Sequence, residues 1–326
     1  MPGRSFCRHR GVGPMSGGAS PTAPGLLNWI LVISLGVIWG TAFMSTSLAL
    51  DGIGPWWVAA GRLGLAAVIL LILGSLMGQG ITHVRPARAW VFTGLVGTIT
   101  LAGPIVLLSW SLTQVPSAFA GVAMGAVPLI VLPLVAIFSP EEGIGPRRII
   151  GVLLGFGGLV LLVGQGALDG GTFWGRLGCI GAAAGYAIGS ILTRRAPKVP
   201  PVAFATATLV MGSLVLIPVA WILEGPPRIE SASAAWALAY AALFPTGLAA
   251  ILRVRVITTA GSMFMSMTSY MVPVWAVIFG ATLMQEDLPS QLYVALLLIL
   301  AGIGISQSRA IATAIAQQLR PKTKTQ

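Results

Sequence analysis

Charged side chains are scarce in this chain of 326 residues, and their scarcity decides its class. Asp, Glu, Lys and Arg together make up 8% of the residues, whereas apolar residues make up 56%. Soluble domains usually carry charged residues at about 25%, and no soluble fold could cover so much apolar surface. A bilayer can, and ten spans of about 20 residues would occupy about 200 residues. We therefore expect a multi-pass membrane protein with short loops and two tails.

The groups on which most enzymes depend are missing from the apolar stretches. Cys7 and Cys179 have no metal-binding spacing, and His9 and His83 fall outside the predicted spans. No Asp or Glu lies within a predicted span, and the chain has no phosphate-binding loop for ATP. Hydrolytic or transfer chemistry would need a cluster of such groups at membrane depth. The sequence argues against an enzyme, a primary pump and a carboxylate relay through the membrane, and it predicts no cofactor.

Hydropathy, together with the turn-forming residues between the apolar runs, predicts ten transmembrane helices. The apolar runs are continuous and do not alternate with period two, which favours helices over a barrel. The separations are weakest around Gln114 and Arg255, where a single turn divides two runs. The predicted spans lie near residues 26–48, 54–77, 88–111, 114–138, 147–164, 172–194, 203–223, 233–254, 257–283 and 290–307.

The basic residues are distributed as the positive-inside rule requires. With the N-terminus inside, only Arg176 and Arg228 fall on the outer side, and Arg62 is the one basic residue predicted well inside a span. Six acidic residues fall outside: Asp51, Asp169, Glu224, Glu230, Glu286 and Asp287. We attribute the net charge of +11 to basic residues on the cytoplasmic side, where both termini are expected to lie. The charge therefore predicts no nucleic-acid partner.

Landmark residues recur at a fixed offset of 145 residues, the separation of Pro128 from Pro273. The loops at equivalent positions differ in charge, since Arg147 and Arg148 follow the fourth span and no basic residue follows the ninth. A duplication with five spans per half must insert its halves upside down, an architecture found in many transporters. The same offset relates Gly36, Gly40, Pro55, Ser117, Glu141 and Gly157 to Gly181, Gly185, Pro200, Ser262, Glu286 and Gly302.

We therefore predict an all-α membrane protein of ten helices arranged as two inverted five-helix repeats. Residues 26–165 form the first repeat and residues 172–307 the second. Residues 1–25 form a flexible cytoplasmic tail, and residues 308–326 form a basic cytoplasmic tail. The expected location is a bacterial inner (plasma) membrane.

The ordered landmarks resemble the drug/metabolite transporter superfamily, specifically its EamA-type members, over nearly all of residues 26–307. Ala207 and Ala184 stand where the repeat would place counterparts of Arg62 and Trp39, so the halves are not equivalent there. The resemblance rests on Trp39-Gly40-Thr41, Pro55, Arg62, the run from Ser117 to Gly121, Pro128, the run from Ser262 to Tyr270, Pro273, Glu286 and Gly302-Ile303-Gly304.

The resemblance implies a secondary transporter whose partners are a small-molecule substrate and the lipid bilayer. Export of an amino acid or a related compound, by alternating access between the two repeats, is the leading hypothesis. Exchange of anionic or phosphorylated metabolites is the alternative, and it would require several cationic groups in the cavity, where Arg62 alone is predicted. A receptor or scaffold without transport is a further alternative, against which the internal inversion argues.

Arg62 has two open interpretations. It lies about 12 Å deep along its helix, where an Arg costs at least about 2.5 kcal/mol on insertion scales. It either attracts an anionic substrate group, such as a carboxylate, or snorkels to the interface and holds backbone carbonyls of a broken helix. The lack of an Arg at the repeat position, Ala207, favours the substrate.

Other candidates are small, polar or aromatic residues of the spans. Ser262, Ser266, Ser269 and Pro273 share a helix face at spacings of 4, 3 and 4, which suits either close helix packing or a solute path. The full set of candidate substrate-binding residues is Arg62, Trp39, Thr41, Trp110, Tyr186, Ser266, Ser269 and Tyr270, and the candidate structural or gating residues are Pro128, Pro273, Gly40 and Gly185.

Two acidic pairs, Glu141-Glu142 and Glu286-Asp287, follow the fourth and ninth spans, and each precedes the start of the next helix. A carboxylate at a helix start favours the positive end of the helix dipole. We interpret these pairs as structural, with proton carriage as the alternative.

Overall fold

The structure is a computed structural model that describes residues 25–138, 145–164 and 171–319. The predicted pair Glu141-Glu142, Asp169 and nearly all of the predicted N-terminal tail lie outside the described residues. Within the described ranges the chain is helical and contains no strand. The helices are α1 (Leu26–Leu50), α2 (Pro55–Leu76), α3 (Ala87–Leu112), α4 (Ser117–Met124 and Val127–Phe138), α5 (Pro146–Val163), α6 (Phe173–Arg195), α7 (Pro201–Glu224), α8 (Ala232–Ala260), α9 (Ser262–Met265 and Thr268–Thr282) and α10 (Ser290–Leu319).

Nine of these segments, as far as the chain is described, are long and apolar enough to cross a bilayer. The ninth predicted span is the one that falls short, because α9 is divided and its longer part is Thr268–Thr282. The all-helical membrane fold is therefore confirmed, while a total of ten spans stays a prediction.

Local sequence explains five of the ten helix starts. Pro55, Pro146 and Pro201 each occupy a first-turn position, where the missing N–H costs nothing and the fixed φ suits the helix. Thr172 and Ser231 precede α6 and α8, and their side chains accept hydrogen bonds from first-turn N–H groups. Such caps are worth about 1 kcal/mol each.

The boundary between α8 and α9 differs from the sequence prediction. The predicted break near Arg255 is wrong, since α8 continues to Ala260 and ends at Gly261, whose φ is 89°. Glycine adopts this left-handed conformation without the steric penalty that other residues incur. As a consequence Arg253, predicted to lie at the inner membrane edge, is seven residues inside the helix.

Equivalent helices of the two halves pack against each other in antiparallel pairs: α2 with α7, α5 with α10, and α4 with α9. At one end of the first pair Gly54 meets the carboxylate of Glu224, and at the other end Gly74 meets Val202. A pairing of counterparts that run in opposite directions is what two inverted repeats produce. We call the face where α1 begins the N-side and the opposite face the far side.

Helices α3 and α8 each contain a π-helical segment near the middle of the span. The segments are Val96–Ala102 and Ala242–Leu248, and they lie at nearly equivalent positions of the two repeats. A π segment adds a residue to the turn and is frequent at functional sites. The segment in α8 organises the polar site described next.

Candidate functional site

The centre of α8 is reshaped by Pro245, which lies inside its π segment. Proline has no N–H, so the carbonyl of Ala241, four residues earlier, loses its α-helical donor. The hydroxyl of Thr246 donates a hydrogen bond to the Ala241 oxygen at 2.9 Å. Because the proton of Thr246 Oγ1 is used in this way, its oxygen is left to accept a hydrogen bond from elsewhere.

Arg62 of α2 donates that hydrogen bond. Its Nε lies 2.8 Å from Oγ1 of Thr246, and its Nη1 lies 3.2 Å from Oγ1 of Thr46 in α1. The Thr46 hydroxyl in turn donates to the carbonyl of Ala42 at 2.6 Å. Both threonines therefore present oxygen lone pairs to the guanidinium, and three helices meet at this buried cation.

No described acidic residue pairs with Arg62, whose two hydrogen bonds both go to neutral hydroxyls. A guanidinium carries five N–H donors, so most of its hydrogen-bonding capacity is not used by these two contacts. A buried charge without a counter-ion is costly, and substrate paths commonly contain such groups. The site therefore holds a positive charge that an anionic group could neutralise.

Two further contacts join α1 to the same region of α8. The indole Nε1 of Trp39 donates to the carbonyl of Pro245 at 3.1 Å, and Thr41 Oγ1 lies 2.9 Å from the hydroxyl of Tyr240. Tyr186 of α6 lies near enough to Arg62 for the two side chains to interact electrostatically. Four of the predicted binding residues thus come together: Arg62, Trp39, Thr41 and Tyr186.

The far side of the bundle is closed by packing. All residues of α4 from Ser117 to Ala123 are buried, and Gly121 is so close to α9 that a Cβ there would collide with the Ala276 side chain. Two carboxylates reinforce this end at helix starts. Glu286 accepts from the N–H groups of Ser117 and Ala118 at 2.6 and 3.0 Å.

Glu224 binds the N–H groups at the start of α2 on the far side. Its two oxygens accept from the N–H groups of Trp56 and Trp57 at 3.1 and 3.2 Å. Carboxylates at helix starts satisfy orphan donors and favour the helix dipole. These contacts fit the structural interpretation of Glu286, while proton carriage by the acidic pairs stays a prediction that they do not test.

The N-side differs from the far side at the start of α9. The segment equivalent to Ser117–Ala123 lies there, and among its described side chains Phe264, Met265 and Thr268 are buried, whereas Ser266 and Met267 are half-buried. Arg253 of α8 has an exposed side chain on this side. The two ends of the bundle are therefore not packed identically.

The remaining predicted residues lie elsewhere. Trp110 is 38% exposed and packs over Gly178, away from the Arg62 contacts. Ser266 donates to the side chain of Gln307 in α10 at 3.2 Å, Ser269 is half-buried near the start of the longer α9 part, and the Tyr270 hydroxyl is buried without a hydrogen-bond partner among the described residues. The structure does not join these four to Arg62.

The predicted structural residues occupy helix contacts and helix breaks. Gly40 packs against Trp275 of α9, and Gly185 packs against Pro104 of α3. The interruption of α4 falls at residues 125–126, immediately before Pro128, whereas Pro273 lies within the longer part of α9. A role for any of them in gating stays a prediction.

Sequence reasoning did not single out Thr46, Tyr240, Thr246 or Arg253. Pro245, in the middle of an apolar run, was the available signal for Thr246, because a proline frees a carbonyl that a nearby hydroxyl can bind. Arg176, predicted on the outer side, is a buried residue near the start of α6. It donates to the carbonyls of Gly164 and Gly171 at 3.0 and 2.9 Å, so it binds the backbone at the end of α5 and just before α6.

Comparison with known proteins gives a match in both halves of the chain. The profile described as the EamA-like transporter family matches residues 27–164 and again residues 173–306. A WAT1-related chloroplastic protein of Arabidopsis thaliana is 28% identical over 86% of this chain and 69% of its own length. The uncharacterized inner membrane transporter YedA of Escherichia coli K12 is 26% identical over 81% of this chain and 85% of its own.

Two other comparisons are more limited. A probable terminal-alkyne amino-acid exporter of Streptantibioticus cattleyicolor is 31% identical, but over only 35% of this chain and 37% of its own. A solved crystal structure aligns over 90% of this chain and all of its own with a TM-score of 0.65 at 20% identity, which shows a shared fold alone.

Proposed function

Since the chain belongs to the EamA-like transporter family, we propose that it exports a small carboxylate-bearing metabolite, such as an amino acid or a related compound. The repeats that would move against each other are residues 26–165 and 172–307. The membrane would be a bacterial inner (plasma) membrane with the N-side in the cytoplasm. The name of the exporter from Streptantibioticus cattleyicolor and the inner membrane location in the name of YedA support these choices.

The observation that carries this proposal is the buried Arg62 guanidinium, bonded only to the hydroxyls of Thr46 and Thr246 within the described chain. A substrate carboxylate would give it a charge-assisted hydrogen bond, worth about 1.5–3 kcal/mol. Trp39 and Tyr186 would border the rest of the solute.

The packing supports alternating access. The closed far side, together with half-buried Ser266 and exposed Arg253 on the N-side, would correspond to a conformation that opens to the cytoplasm. Export would require the far-side contacts of α4 with α9 to separate while the N-side closes around the filled site. The inverted relation of the repeats makes the two open forms structural counterparts of each other.

The direct test is transport by the purified protein in liposomes loaded with labelled leucine, glutamate or succinate. Liposomes that contain the wild-type protein should release at least one of these solutes faster than liposomes without protein. Arg62→Gln should reduce that rate about tenfold or more at matched protein levels, because the lost interaction corresponds to a factor of ten per 1.4 kcal/mol. Arg62→Lys should fall between them, since it keeps the charge but not the planar fork.

Arg228→Gln, in the exposed loop between α7 and α8, is the control and should match wild type. Transport that is unchanged in Arg62→Gln would remove Arg62 from the site. A wild type that moves none of the labelled solutes above the vesicle background would contradict the proposed transport function for this substrate class.

A further inference from the structure

Arg253, like Arg62, lies inside a membrane-spanning helix, whereas the sequence prediction had placed it at the edge. It lies seven residues before the end of α8 at Ala260, or about 10 Å inside the helix. An arginine at that depth must reach water, a partner or an anion to offset its desolvation.

The helical face of Arg253 points toward the protein interior. Ala249 and Val256, which are four and three residues away, are both completely buried, and residues at these spacings share a face. Leu252 and Ile257, on either side of this face, pack with Trp29 and Phe264. The face of α8 that carries Arg253 therefore packs with α1 and α9.

Its side chain is nevertheless exposed. A residue that is accessible on an inward face, between neighbours that are completely buried, lies on the wall of a crevice. No hydrogen bond or ion pair to Arg253 is present among the described residues, so its charge, like most of the hydrogen-bonding capacity of Arg62, is available to a solute.

Arg253 also lines up with the site already described. It follows Thr246 by seven residues, which places both on one face of α8, about 10 Å apart along the helix. Because Thr246 binds Arg62, both arginines lie along the same side of α8, with Arg253 nearer its N-side end. The described acidic residues, Asp51, Glu224, Glu230, Glu286 and Asp287, all lie at helix ends or in loops.

We propose that Arg253 forms a second anion-binding position on the N-side of the solute path, and that together with Arg62 it makes the path selective for solutes with net negative charge. This proposal rests on the proposed transport function and narrows its substrate class. A path with two cations and no described carboxylate favours a dicarboxylate such as succinate, or an anionic amino acid such as glutamate, over a zwitterion such as leucine.

The transport test compares wild type, Arg253→Gln, Arg253→Lys and Arg255→Gln in liposomes with labelled succinate, glutamate and leucine. Arg255 is exposed on the same helix, two residues further along and therefore on another face, which makes it the matched control. We expect wild type to prefer succinate or glutamate. Arg253→Gln should raise the KM for that anion about tenfold, with Arg253→Lys and Arg255→Gln close to wild type.

A second measurement does not depend on transport. With Cys7 and Cys179 replaced by serine and alanine, Arg253→Cys should react from the N-side with a negatively charged methanethiosulfonate at least several-fold faster than with a positively charged one. Arg62→Gln in the same protein should reduce this ratio toward one, because it removes the neighbouring positive charge, and Arg255→Cys should show no such dependence on Arg62.

The outcomes separate the two proposals. If wild type moves leucine but neither anion, or if the KM in Arg253→Gln equals that in Arg255→Gln, transport stands and the role of Arg253 is overturned. If Arg253→Cys is inaccessible from the N-side or shows no preference for the negative reagent, the crevice itself is overturned. Failure of every labelled solute to move would count against the transport function, while the labelling ratio would still decide the position of Arg253.

Discussion

Nε of Arg62 and Oγ1 of Thr246 are 2.8 Å apart, although 184 residues separate them in the chain. This bond attaches the cation of α2 to the π segment of α8, the part of that helix where Pro245 disrupts the regular hydrogen bonding. A shift of α8 would therefore move Arg62, or release it, and so couple the position of a helix to the charge that a solute meets.

Thr246→Val should destabilise the protein. Valine has the shape of threonine without the hydroxyl, so Arg62 Nε would lose its acceptor and the Ala241 carbonyl would lose the hydroxyl donor. Leaving buried polar groups unsatisfied costs about 1–3 kcal/mol each. A lower melting temperature of the purified protein is expected. Thr246→Ser keeps the hydroxyl and should melt close to wild type, and an equal loss in both variants would show that the methyl group, not the hydrogen bond, matters.

Trp39→Phe should reduce transport more than it reduces stability. The change keeps an aromatic ring and removes the indole N–H that binds the Pro245 carbonyl at 3.1 Å, at a cost of about 0.5–1.5 kcal/mol. Trp90→Phe removes a comparable bond, from its indole to the Val84 carbonyl at 2.8 Å, outside the site. Melting temperature and initial transport rate would be measured for both. Equal effects on transport would argue against a special role for the Trp39 contact.

Glu286→Ala should loosen the far side. The carboxylate satisfies two N–H groups at the start of α4, and losing a cap of this kind costs about 0.5–2 kcal/mol. Labelling of Ser117→Cys from the far side, in a protein without other cysteines, should become faster. Asp287→Ala changes the exposed neighbouring acid and should have no effect. Unchanged labelling in Glu286→Ala would mean that the cap does not hold this end closed.

Gly302→Ala should weaken the contact between α5 and α10. A Cβ at Gly302 would lie 2.5 Å from the Gly151 oxygen and 2.6 Å from the Gly155 nitrogen, and backbone atoms cannot rotate away. Overpacking of this kind costs about 1–3 kcal/mol. Gly304→Ala, on the same helix with nothing within 4 Å of its Cβ position, is the control. The melting temperature should fall only for Gly302→Ala, and a fall of equal size in Gly304→Ala would contradict the packing argument.

Much of the architecture could be predicted because it depends on local or periodic features. The length of an apolar run predicts a membrane helix without knowledge of its neighbours, and the recurrence of Pro128 as Pro273 predicts a duplication. The helix boundary near Arg255 could not be placed in this way, because the two apolar runs are nearly continuous and the break was made by a single glycine, Gly261.

The candidate site was predicted in part. Arg62 stood out because charge is rare at membrane depth, and Trp39, Thr41 and Tyr186 do lie near it. Thr46 and Thr246 did not stand out, since a threonine in an apolar helix usually bonds to its own backbone. The predicted set of site residues was therefore incomplete, and Arg253 was not singled out.

The sequence by itself determined the membrane environment, the helical class, the repeat and the family, because these follow from composition, run length and spacing along one chain. Only the tertiary structure decided which polar groups meet: that Arg62 bonds to hydroxyls of two other helices, that the far side is closed, and that Arg253 faces inward. The physical reason is that each of these depends on the rotation of one helix against another, which is fixed by packing between residues far apart in sequence.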